Sequence, residues 1–156
     1  AKTNLSHVKL TASNLNSSNL SNANLVGCNL EHARLNQTNL ENAQLNQVNL
    51  SHSFASGANF KDAVLIKANF ENAFLIKTDF TNAFLMEAKL RGCHVTGATF
   101  ANANLYKADL RAIQGLDIES LAKAKTLFLA KFDEDVKEKL LESHPHLMGK
   151  EALNFN

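Results

Sequence analysis

A chain of 156 residues allows one ordinary domain, and 16 basic against 15 acidic side chains leave a net charge of +1, which gives no basic field for nucleic acid and no acidic surface to imitate it. Two cysteines are too few for a disulfide framework or a zinc site, and no apolar run nears the roughly 18 residues of a membrane span. Twenty asparagines are the compositional oddity, and they fall in a pattern.

From Leu5 to Leu110 every fifth residue is a core-type side chain: of 22 such positions 16 are Leu, four Phe, one Val (Val95) and one Ala (Ala55). Two residues before each of these centres stands Ala, Ser, Thr, Cys or Val, and directly before it Asn occurs ten times, as in Asn24, Asn29 and Asn39. A period of five fits neither the 3.6 of a helix nor the 2 of a strand. Short extended pieces separated by corners satisfy it, with the centre and the small residue two before it pointing inward. Four such sides close a coil in 20 residues, so residues 20 apart stack.

This A(N/D)LXX register resembles the pentapeptide-repeat family from Thr3 to about Ala112. The resemblance implies an all-β solenoid, a right-handed quadrilateral (four-sided) β-helix, with a short C-terminal α-helical cap. At about 4.8 Å per coil, five and a half coils make a rod of roughly 25 Å. One column of centres is then Leu5, Leu25, Leu45, Leu65, Leu85 and Leu105. Another brings Phe60, Phe80 and Phe100 together. Asparagines are expected to bond backbone groups at the corners.

Ala55 interrupts the series, with Phe54 in the normally outward slot. Either a local bulge turns Phe54 inward to fill the gap, or that face carries a kink or recognition point. In later coils one outward face gathers Val64, Ile66, Phe84, Met86 and Tyr106, and the opposite one Phe54, Phe74 and Ile76. Contiguous apolar patches of this kind mark contact with something. The occupant is the chain's own tail, a protein partner or a second copy.

The register is expected to end at Gly115. Asp117 reads as the N-cap of a short helix through Ile118, Leu121 and Ala124, and Leu127, Phe128 and Leu129 as an apolar knot. Asp133 reads as the cap of a second helix with Val136, Leu140 and Leu141 on one face, ended by Pro145. Residues 1–112 are thus a repeat rod, and 113–156 a helical lid over its open end.

The residues carry no chemistry. His32 and His52 stack without a fixed third ligand, His7 and His94 lack partners, and Cys28 and Cys93 take the small inward slot as buried, inert thiols. With neither a phosphate loop nor a cavity, the chain reads as a non-enzyme without metal or cofactor. The function expected is a non-catalytic interaction scaffold, binding a protein partner or itself through an apolar face, with no nucleic acid and no membrane as partner. The family resemblance points to cyanobacteria or plastids and offers an alternative, a DNA mimic protecting a type II topoisomerase. Against that, residues 1–110 hold nine basic and seven acidic side chains, the wrong sign for replacing phosphates. Ala1 in place of Met suggests a trimmed start, and the compartment is cytoplasmic, or thylakoid lumen or periplasm if a targeting segment preceded it.

Overall fold

Extended backbone cannot run beyond three residues here, because a corner follows every centre. The computed structural model describes residues 2–149 and builds its β structure from single parallel bridges between residues 20 apart: Asn4 with Asn24, Asn24 with Gln44, Gln44 with Val64, Val64 with Phe84 and Phe84 with Asn104. Four such columns alternate along the chain, so each 20-residue coil has four sides. Faces 1 to 4 are centred on Leu25, Leu30, Leu35 and Leu40 and their 20-residue equivalents.

Each side ties itself to the next coil through its backbone. Leu25 N donates to Gln44 O at 2.7 Å, Gly27 N to Asn46 O at 2.9 Å, and Asn24 N to Thr3 O at 2.8 Å. The corner is a four-residue turn in which the residue three beyond the centre donates back to it, as Val8 N does to Leu5 O at 3.1 Å. Its third residue has a positive φ near 58°, shown by His32, Gln37 and Lys67, the pattern of a type II turn.

The interior is filled by the centres and their small partners. Phe60 stacks on Phe80 at 5.2 Å and Phe80 on Phe100 at 5.5 Å, while Phe70 from the opposite side meets Phe60 and Phe80 edge-on. Ala55 shares a coil with Phe60 and Val95 one with Phe100, whereas the coil between them holds both Phe70 and Phe80 with Leu65 and Leu75. Ala55 is fully buried and keeps the regular bond, its N–H reaching Phe74 O at 2.8 Å. No bulge forms, and Phe54 stays outside with 41% of its surface exposed.

The tail departs from expectation in several ways. The register does not end at Gly115 but resumes two residues out of step: Asn104 bridges Thr126 and Asp109 bridges Lys131. Leu127 and Phe132 take the buried centre positions, and Leu129 turns the corner at φ 59°. The expected apolar knot is therefore another side of the coil, with Leu129 outside. Helix α1 (Ile118–Leu121) is one turn, shorter than the spacing predicts. Asp117 caps it by accepting from Glu119 N, but the chain is soon drawn back into the ladder as Asn102 N donates to Lys123 O at 2.8 Å.

Helix α2 (Glu134–Ser143) follows Asp133, whose carboxylate accepts from Ala112 N at 2.9 Å instead of capping the helix. Leu140 is buried and Val136 half-buried, but Leu141 points away with 46% exposed. Pro145 starts a 3-10 turn to Met148, within which Leu147 is buried and accepts from Leu127 N at 2.9 Å. Leu121, Leu127, Phe132, Leu140 and Leu147 join the rod's own core cluster. The end of the expected lid, 150–156, lies outside the described residues.

Candidate interaction surface

The slot before each centre faces outward, and Asn is favoured there for a local reason. Its side-chain oxygen accepts the N–H two residues on, at the corner: Val26 N to Asn24 at 3.1 Å, Glu31 N to Asn29 at 3.0 Å, Glu41 N to Asn39 at 3.0 Å. Stretches of two columns give this bond up. On face 1 the slot holds Gln44, Val64 and Phe84, and on face 3 Arg34, Phe54, Phe74 and His94. A neighbouring coil compensates in places, where Asn16 accepts from Asn36 N, Asn36 from Ser56 N, both at 2.9 Å, and Asn46 from Ile66 N at 3.2 Å. Outward apolar side chains thus occupy positions where Asn would serve the fold.

On face 1, Val64 bridges Phe84, and Ile66, Met86 and Tyr106 follow one another down the adjoining column. Phe84 is 45% exposed and the other four are half-buried. The tail reaches the end of this strip: Phe128 stacks beside Tyr106 with 6.1 Å between ring centroids, and Lys125 lines the pocket beside Phe84. Lys107 Nζ lies 5.1 Å from the Tyr106 ring. Beside Phe84 opens a shallow pocket of about 270 Å³, floored by Ala83, Phe84 and Met86. It is also lined by a polar ladder in which Asn102 donates to Asn82 at 2.9 Å and Asn82 to the Asp62 carboxylate at 3.0 Å.

On face 3, Phe54 stacks on Phe74 at 5.2 Å and 1°, and Phe74 on His94 at 4.8 Å and 17°. Ile76 lies alongside, exposed. His94, expected to stand alone, is the third ring of this ladder. Its place 20 residues after Phe74 was the available signal, as the five-residue spacing of Leu127 and Phe132, with Ala130 two before the second, was for Phe128.

Other groups are held for structural reasons. His32 and His52 stack at 5.0 Å, with Glu31 3.8 Å from the His32 ring, and among the described residues no three His, Cys, Asp or Glu side chains are grouped to hold a metal. Cys28 and Cys93 are buried free thiols. Burial pushes the Cys93 thiol up to about 12, and its sulfur lies 2.8 Å from Phe70 O. Arg111 grips Asp109 through two nitrogens, at 2.9 and 2.6 Å, and holds that carboxyl below the usual range against the opposing effect of burial. Among the described residues no helix is long and apolar enough to cross a membrane.

A family model and the fold of HetL agree with this geometry. A family model described as pentapeptide repeats, in eight copies, matches residues 3–42, 43–82 and 85–112. HetL, a pentapeptide repeat protein involved in heterocyst differentiation regulation in the cyanobacterium Nostoc sp. strain PCC 7120, is 24% identical with a TM-score of 0.59; the match covers 84% of this chain and 60% of HetL. Rfr23 of the cyanobacterium Cyanothece 51142 is 29% identical over 74% of this chain and 64% of its own, with a TM-score of 0.33. Full-length QnrB1, a plasmid-mediated fluoroquinolone resistance protein, is 18% identical over 84% of each chain, with a TM-score of 0.37. No curated protein matches the chain significantly.

Proposed function

The chain belongs to the pentapeptide-repeat family, whose fold is a right-handed four-sided β-helix, and from that premise we propose that it is a non-catalytic scaffold, a rigid rod presenting apolar side chains to a protein partner. Residues 1–112 are its repeat domain, and the segment that starts at 113, which adds a further stretch of coil before α2 and the 3-10 turn, acts as its cap. The observation that carries this reading is the exchange of Asn for Val64 and Phe84 on face 1, a position where the fold itself favours Asn and water meets the side chain. Ile66, Met86 and Tyr106 widen the strip, and Phe54, Phe74 and Ile76 form a second patch on face 3. Burial of such a strip at about 25 cal/mol per Å² supplies several kcal/mol before association entropy is subtracted.

Val64 and Phe84 bond coil to coil through both N–H and C=O, so a partner must engage side chains or corner N–H groups, not add a strand. The test exploits the repeat itself. Val64→Asn with Phe84→Asn restores the Asn slot, so the variant should fold and melt like wild type while losing the partner in affinity capture from the native host. Capture of the same proteins by both forms removes face 1 from the function.

The topoisomerase-protecting alternative finds less support. The repeat region carries no net negative charge, with nine basic and seven acidic side chains in residues 1–110, whereas a duplex mimic must supply closely spaced anions. Gyrase supercoiling with quinolone should be equally inhibited with and without the protein. Protection at low protein concentration would reverse the ranking.

A further inference from the structure

The repeat units of face 3 differ in charge from those of the other faces. Its five units, residues 13–17, 33–37, 53–57, 73–77 and 93–97, carry Arg34 and Lys77 and no carboxylate. Every other face mixes signs: Lys67 with Glu87 on face 1, Lys89 with Glu71 on face 2, Lys61 with Asp79 on face 4. Acids flank these units: Glu31 and Glu71 on the preceding corner, which also holds Arg91, and Asp117 and Glu119 beside Gly97, where the column passes on to Gln114. Down the middle of face 3 runs the outward column Arg34, Phe54, Phe74, His94, each member bridged to the next.

The ring geometry adds to this bias. Because Phe54, Phe74 and His94 lie face to face at 5.2 and 4.8 Å, their π faces cover one another and their rims turn outward. The rim is the positive part of an aromatic quadrupole and favours negative oxygen over cations. The column spans three coil steps, about 14 Å, which some four residues of extended chain can follow. Its backbone is already committed, with Ala55 N bonded to Phe74 O and Phe74 N to Ser53 O, so recognition falls to side chains.

We propose that face 3 docks an acidic protein segment, whose apolar side chains rest on the Phe54–Phe74 ledge beside Ile76 while its carboxylates meet Arg34 and Lys77. This rests on the scaffold reading and names the partner chemistry for its second patch, independently of face 1.

The experiment is selection of a displayed random dodecapeptide library on the full chain, with counter-selection on Phe54→Asn/Phe74→Asn, followed by fluorescence anisotropy with an enriched peptide. Both substitutions return the slot to Asn, and matching thermal melts will show that the fold persists. Enriched peptides should interleave Asp or Glu with aromatic or aliphatic residues. Their affinity should fall at least tenfold in Phe54→Asn/Phe74→Asn and in Arg34→Gln/Lys77→Gln, weaken with added salt, and stay unchanged in Val64→Asn/Phe84→Asn. Failure to enrich, peptides without acidic residues, equal binding by the face 3 variants, or polyglutamate binding as tightly as the selected peptides each overturn the proposal. Loss only in the face 1 variant would overturn it while leaving the scaffold reading intact.

Discussion

Phe54 lies on Phe74 with ring centroids 5.2 Å apart and planes 1° from parallel, although the two are twenty residues apart in the chain. The same step places Phe80 on Phe60 at 5.2 Å inside the rod. Sequence distance and spatial distance are thus locked together, inside and out, by the coil. What differs is the surroundings: the inner stack is closed by Phe70 edge-on, the outer one by water.

That difference sets the first prediction. Phe80→Ala removes a fully buried ring between Phe60 and Phe100 and should cost about 3–5 kcal/mol. Phe74→Asn removes a half-buried ring but regains the corner bond, so it should change stability by less than about 1 kcal/mol. Urea denaturation of the two variants beside wild type measures both. Equal losses would mean that the outer stack is part of the core.

The five-residue period made the coil and its columns legible, because each centre is apolar whatever its neighbours do. It also placed Val64, Phe84, Phe54 and Phe74 outside. The fate of Ala55 was not legible: whether Phe54 swings inward depends on the volume that Phe60 already occupies, a relation across a corner. Nor was the tail. Its two-residue offset hides Leu127 and Phe132 from a count by fives, and the role of Asp133 is decided by the unbonded N–H of Ala112, 21 residues away. Leu141 shows the limit of helix periodicity, since burial of Leu140 leaves the next residue facing water.

A second prediction concerns Ser53, whose hydroxyl is fully buried and has no hydrogen-bond partner. Thr38 and Thr78, in the same small slot of face 4, reach Leu15 O and Ala55 O at 2.8 and 2.9 Å. Ser53→Ala removes an unsatisfied group without opening a cavity. It should raise stability by about 1 kcal/mol, read as a higher urea midpoint at unchanged slope. A lower midpoint would show that the hydroxyl is bonded in solution.

The third prediction is a pH dependence. Burial lifts the Cys93 thiol from 9.0 to about 12 in the folded chain. The unfolded chain therefore ionises first, and the thiol's contribution is whole below about pH 9 and is lost as pH rises toward 12. Cys93→Ala, the residue most common in that slot, should lose less stability than wild type across this window. Parallel melting curves from pH 8 to 11 would show that Cys93 is not the group responsible.

Fourth, truncation after Ala112 removes the acceptors of five ladder bonds, from Val95 N to Gln114 O, Asn102 N to Lys123 O, Leu105 N to Thr126 O, Lys107 N to Phe128 O and Leu110 N to Lys131 O. It also uncovers Leu105 and Leu110 at an open edge. Such an edge pairs with another, so sedimentation velocity should show concentration-dependent association absent from the full chain. A truncated rod that stays monomeric and melts unchanged would remove the tail from the role of cap.

The last prediction tests how the interior shares its volume. Coil two carries Leu25, Leu30, Leu35 and Leu40, whereas coil three carries Leu45, Leu50, Ala55 and Phe60, all fully buried. Coil four, with Leu65, Phe70, Leu75 and Phe80 all buried, has a larger filling. The pairing of ring and methyl in coil three is therefore a matter of whether Ala55 and Phe60 share space. If they do, Ala55→Leu alone should overpack coil three and cost about 1–3 kcal/mol. Phe60→Leu alone should open space and loosen the contact with Phe70. The double variant recreates the composition of coil two, so its loss should be smaller than the sum of the single losses by 1 kcal/mol or more, a coupling of the size found between touching residues. Strict additivity in a double-mutant cycle would mean that Ala55 and Phe60 do not share space, leaving the absence of a bulge at Phe54 without its volume argument.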